Sequence, residues 1–132
     1  MNAKKAVIVE DNIQTRLLVR MVLDSVGVRQ VVEAENGEAA ISALKADHAD
    51  LAIMDWNMDV MDGLECTRRI RAGIDGINPR LPIILLTGNR GQASEAAAYA
   101  AGVDLFMEKP FSIKSLYAGV SKVLGASTDK TT

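Results

Sequence analysis

Glu10 and Asp11 follow the apolar run AVIV, Asp55 follows LAIM, Thr87 follows IILL, and Lys109 closes LFMEK. Carboxylates brought together at one place repel one another unless a cation neutralises them. Hard oxygen ligands with no histidine or cysteine beside them suit Mg2+, with Mn2+ as a possible substitute, better than zinc. Magnesium in turn favours phosphate. A carboxylate oxygen can attack phosphorus to give an acyl phosphate, while a lysine ammonium and a threonine hydroxyl stabilise the phosphoryl oxygens. Asp55 would then be the acceptor, with Thr87 and Lys109 contacting the group it receives. Each residue alone has a plainer use: Asp11 or Asp55 as a helix cap, Thr87 as a strand end, Lys109-Pro110 as a turn. Their joint occurrence behind four of five apolar runs favours the chemical reading.

Residues 6–9, 29–32, 51–54, 81–86 and 103–107 are the short runs read as strands, most of them apolar throughout. Strands buried on both faces need that composition, and the segments between them are long enough for crossover helices. The pattern predicts an α/β fold, βα repeated five times around a parallel sheet. Helices are expected over residues 13–26, from Asn36-Gly37, from Asp62-Gly63, over 91–101, and from an N-capping Ser112 to about residue 124. Residues 72–80 read as a turn-rich loop. With strand order 2-1-3-4-5, the strands carrying the polar residues are contiguous, and the crevice between strands one and three is the expected ligand site.

The chain has 132 residues, enough for one domain with a single sizeable core. Residues 1–125 are expected to form that domain, with 126–132 a flexible tail. Fifteen basic against seventeen acidic residues give a formal charge of −2, which offers no support for a nucleic-acid or membrane partner. The single cysteine, Cys66, cannot form an internal disulfide, and the first apolar stretch is too short for a signal peptide or membrane span. A cytoplasmic setting is expected.

The motifs VIVEDN, MDWNMDVMDG, PIILLTG and FMEKPF, in that order, resemble those of bacterial response-regulator receiver domains, over residues 5–124. The resemblance implies a flavodoxin-like doubly wound fold of order 2-1-3-4-5. It implies Glu10 and Asp11 as metal-binding acids and Asp55 as the phosphoacceptor. The backbone carbonyl of Asn57 would be a further metal ligand, Thr87 and Phe106 the switch pair, and Lys109 the phosphate-contacting lysine before a cis Pro110. It also implies a histidine kinase or histidine phosphotransfer protein as donor. A downstream protein would be engaged through the fourth helix, fifth strand and fifth helix, where inward movement of Thr87 would draw the Phe106 ring inward. The chain departs from the family pattern in three places. Asp59 stands where proline is common, Phe106 where tyrosine is frequent, and the acidic pair is Glu-Asp.

The signalling reading, a stand-alone receiver resembling chemotaxis-type members, is expected to be a switch rather than an enzyme. A phosphorelay shuttle or phosphate sink would use the same residues. An aspartate-nucleophile phosphatase would need a proton donor two residues past Asp55, and the Asn57 amide cannot serve. A flavin-binding protein of this topology is disfavoured because Glu10 and Asp11 would repel the flavin phosphate. Cys66 is expected to be a packing residue, His48 a surface residue, Met58 and Met61 part of the site's rim, and Trp56 an optical reporter or packing residue.

Overall fold

The computed structural model describes residues 4–89 and 91–129. Strands β1 (Lys4–Val9), β2 (Val28–Ala34), β3 (Leu51–Asp55), β4 (Ile83–Thr87) and β5 (Leu105–Glu108) form one sheet of order β2-β1-β3-β4-β5. Every pairing is parallel. The intervening helices are α1 (Ile13–Ser25), α2 (Gly37–Ala46), α3 (Gly63–Arg71), α4 (Gln92–Ala101) and α5 (Ile113–Asp129). The expected fold class and strand order are those observed.

Alternate residues of each strand serve opposite faces, as the two-residue period of a pleated strand requires. Ala6, Ile8, Leu51, Ile53, Ile84 and Leu86 join one buried cluster with Val19, Leu23, Leu116 and Val120 of α1 and α5. Their neighbours Val7, Val9, Ala52, Met54, Ile83 and Leu85 join a second cluster with residues of α2, α3 and α4. Two helical layers thus explain the near-continuous apolar runs.

Strand ends differ from expectation by one or two residues. Leu81 and Pro82 precede β4, and Lys4 and Lys5 belong to β1. The 72–80 loop contains one 3-10 turn, Ile74–Gly76. Helix α5 continues to Asp129 rather than ending near residue 124, because Gly125 does not adopt the left-handed conformation that ends a helix. The part of the expected tail from 126 to 129 is therefore helical in backbone, and 130–132 lie outside the described residues.

Two helices start where the sequence marked them, and for a packing reason. A Cβ on Gly63 would lie 2.6 Å from the Asp55 carbonyl oxygen, and one on Gly37 would lie 2.7 Å from the Met61 carbonyl oxygen. Only glycine lets α3 begin against the end of β3, and α2 against the loop that follows it. No helix of the described residues is long and apolar enough to cross a membrane.

Candidate metal and phosphoacceptor site

The carboxyl ends of β1, β3, β4 and β5 meet at one edge of the sheet. Asp55 ends β3 in register with Leu86, so Thr87 lies one residue further along the neighbouring strand and pairs in turn with Glu108. Glu10 and Asp11 lead from β1 into α1. Neither Asp11 nor Asp55 caps a helix: the Asn12 side chain accepts from Thr15 N at 2.9 Å to cap α1, and the Asp62 side chain accepts from Glu65 N at 2.8 Å to cap α3. The acids at the sheet edge are thereby left for other work.

Glu10, Asp11 and Asp55 each offer a carboxylate oxygen, and the three atoms lie within 4.8 Å of one another. Glu10 is 3 % exposed and Asp55 8 % exposed, whereas Asp11 is open to solvent. Glu10 Oε2 accepts from Asn12 N at 3.0 Å, and Asp55 Oδ1 from Asn57 N at 3.2 Å. Lys109 reaches in from the end of β5, with its Nζ 2.7 Å from Glu10 Oε1 and 3.1 Å from Asp55 Oδ2. The contact with Glu10 is a close ion pair to a carboxylate that is almost wholly buried. Burial works against the charged ammonium, but the Glu10 and Asp55 carboxylates outweigh it and hold the Lys109 pKa above that of an ordinary lysine.

These residues fit a divalent cation. The donor set is all hard oxygen, and three carboxylates gathered around a single ammonium leave an excess of negative charge that a cation would balance. The cleft has a cavity volume of about 20 Å³, room for a water-sized species, and is lined by Glu10, Asp11, Asp55, Asn57, Met58 and Asp59 together with Val9 and Glu35. Met58 is at this rim as expected, whereas Met61 is buried in the core beneath it.

Thr87 is fully buried, its Oγ1 accepting from Asn89 N at 2.8 Å, which leaves its hydroxyl proton available to a further acceptor. Phe106 is 8 % exposed and packs among the residues of the α2, α3 and α4 side. The ring lies inside the fold in this conformation. Tyr99 was missed by sequence reasoning: its hydroxyl accepts from Phe106 N at 3.2 Å, placing a phenol beside a strand residue that lacks one. Only a helix-to-strand register could have revealed it. Glu108 was also missed, and its Oε2 accepts from Gly91 N, which precedes α4, at 3.1 Å. The Lys109-Pro110 bond is cis. Trp56 is half-buried against the core, Cys66 is fully buried, and His48 is exposed and 3.5 Å from Asp50. Arg90 is outside the described residues.

Residues 6–121 match the family described as the response regulator receiver domain. Chemotaxis protein CheY1 of Helicobacter pylori strain J99 is 34 % identical over 124 residues, covering 93 % of this chain and 98 % of the relative. The CheY homolog of Campylobacter jejuni is 34 % identical over 125 residues, 94 % of this chain and 95 % of that one. Among solved structures, the receiver domain of a sensor histidine kinase from Pseudomonas aeruginosa is 31 % identical with a TM-score of 0.79, covering 94 % of this chain and 99 % of that domain. That domain carries a magnesium ion coordinated in its active site cleft. The chemotaxis regulator CheY4 of Vibrio cholerae superposes with a TM-score of 0.81 at 27 % identity, over 92 % of this chain and 99 % of that one.

Proposed function

The chain belongs to the response regulator receiver family, and from that premise we propose that Asp55 accepts a phosphoryl group with Mg2+ held by Glu10, Asp11, Asp55 and the Asn57 carbonyl. The observation that carries the reading is the meeting of three carboxylates and one lysine ammonium at the shared edge of four strands. Bound Mg2+ would neutralise charge on the transferring phosphoryl oxygens; Mn2+, with similar oxygen preference, could replace it.

In the transfer, an Asp55 carboxylate oxygen forms the new bond to phosphorus as the bond to the donor's imidazole nitrogen breaks. The nitrogen keeps the electron pair of the broken bond, and the ring, protonated on its other nitrogen, leaves as neutral imidazole. Lys109 already lies 3.1 Å from Asp55 Oδ2, where its charge can meet a phosphoryl oxygen. Thr87 has a hydroxyl proton to donate from the next strand. The same ammonium lies 2.7 Å from the buried Glu10, so one lysine orders both the acceptor and a metal-binding acid. The donor is a histidine kinase or histidine phosphotransfer protein, and the output partner is a protein read through α4, β5 and α5. Likeness to chemotaxis regulators over nearly their full length supports a signalling switch, for which we propose a cytoplasmic setting.

Incubation with acetyl phosphate and Mg2+ should add one phosphoryl mass to the intact protein, and EDTA or Asp55→Asn should abolish the addition. Equal labelling of Asp55→Asn would transfer the acceptor role to another residue.

A further inference from the structure

Resting on the assignment of Glu10, Asp11 and Asp55 to the cation, we propose that Glu35 and Asp59 form an outer carboxylate rim. This rim tightens divalent-cation binding at the cleft and makes it salt-dependent. Both residues line the cleft with the three inner acids, but neither belongs to the group whose oxygens lie within 4.8 Å of one another. They are therefore placed to act through their field and through water rather than as direct ligands. Both are exposed. The cleft thus carries five carboxylates, whereas the ammonium of Lys109 is already shared between Glu10 and Asp55.

Two packed loops fix the rim. Glu35 lies between the end of β2 and Asn36, whose side chain accepts from Ala39 N at 2.8 Å to cap α2. Asp59 is carried by a tight turn in which Met61 N donates to Asp59 O at 2.7 Å across Val60, at φ 71°. A β-branched residue rarely adopts that conformation, which persists only where its surroundings impose it. Here the surroundings are visible: the Met61 side chain is buried, and its backbone carbonyl sits so near Gly37 that a Cβ there would come within 2.7 Å. The start of α2 and the turn after β3 are thereby locked together, with one rim carboxylate on each. Proline at position 59 would fill the turn but supply no charge. The same negative field that draws a divalent cation in would oppose a small anionic phosphodonor until the cation is bound.

The test is calorimetric Mg2+ binding to the full chain, for wild type, Glu35→Gln, Asp59→Asn, the double variant and Asp11→Asn, at low ionic strength and in roughly half-molar KCl. One unit charge acting on a divalent ion ~8 Å away through water predicts about a five-fold rise in Kd for each rim substitution at low salt. Screening should remove most of that difference at high salt. Both rim positions are exposed, and thermal unfolding without Mg2+ should confirm that each variant is folded. If Asp11→Asn loses Mg2+ while the rim variants bind as wild type does at low salt, the rim proposal is overturned and the site assignment stands. A several-fold weakening that does not shrink with salt would equally overturn the field mechanism. If Asp11→Asn binds Mg2+ as wild type does, the assignment of the inner ligands fails.

Discussion

Replacing Lys109 by methionine keeps the length of the side chain and removes its charge, leaving Glu10, 3 % exposed, without its ionic partner. With the ammonium 2.7 Å from Glu10 Oε1 and 3.1 Å from Asp55 Oδ2, an effective dielectric of ~20 gives roughly 6 and 5 kcal/mol of gross attraction. Most of this is offset by the cost of taking the charges out of water and of ordering the lysine. A loss of about 2–3 kcal/mol remains, in the range expected for breaking a hydrogen bond or ion pair to a charged, largely buried group. For a domain of this size that is roughly 8–12 °C in Tm. Because a divalent cation would supply the missing positive charge, the deficit should be full in EDTA and fall below about 1 kcal/mol in saturating Mg2+. Urea unfolding of wild type and Lys109→Met under both conditions measures this. Equal stability of the two proteins in EDTA, or a deficit unchanged by Mg2+, would refute the view that lysine and metal neutralise the same carboxylates.

Two further outcomes follow from packing. Gly63→Ala puts a methyl group 2.6 Å from the Asp55 carbonyl oxygen and 2.7 Å from Leu85 Cδ1, so it should cost about 1–3 kcal/mol in chemical unfolding and slow labelling by acetyl phosphate, because the acceptor strand must shift. Burial pushes the Cys66 thiol up from 9.0 to about 12, so native protein at pH 8 should resist thiol reagents and react only on unfolding. As the folded thiol holds its proton more tightly than the unfolded one, its contribution to stability is full below about pH 9. That contribution declines as pH rises toward 12, a trend that should diminish in Cys66→Ala on alkaline titration.

The sheet was legible because two covering layers force apolar residues at every strand position, so the runs in β1, β3 and β4 stood out without alternation. Helix α1 shows where that legibility ends. Ile13, Leu17 and Met21 recur at helical spacing with Leu18 and Val22, yet Ile13 is 62 %, Leu17 60 % and Met21 57 % exposed, while Val19, Val22 and Leu23 face the core. Periodicity identifies a helix, but with apolar residues on both stripes it cannot say which is covered; the strand it packs on decides that. The inner acids were legible because each follows an apolar run. Asp59 was marked by its sequence as an extra carboxylate near the metal where the family has proline, whereas Glu35, in a polar stretch, was not, and it is the packing of Gly37 against Met61 that brings the two to one rim.

The connections made by β5 give a physical route from charge at Asp55 to the face of α4. Lys109 N donates to Thr87 O at 2.7 Å, so the main chain bearing the ammonium is tied to the main chain bearing the hydroxyl. One residue back, Glu108 Oε2 accepts from Gly91 N, and two residues further, Phe106 N donates to the Tyr99 hydroxyl. The strand is therefore fastened to the site at one end and to α4 at two points. A phosphoryl group on Asp55 would bring negative oxygens that compete with Glu10 for the ammonium and offer an acceptor to the Thr87 hydroxyl. Lys109 cannot follow that pull freely, because its backbone is shared with β4 and its neighbour holds the approach to α4. The Tyr99 hydroxyl on α4 accepts from the backbone of β5, so strand and helix are tied there without any hydroxyl on the Phe106 ring. Any shift of β5 must be met by Tyr99, which is 41 % exposed on α4.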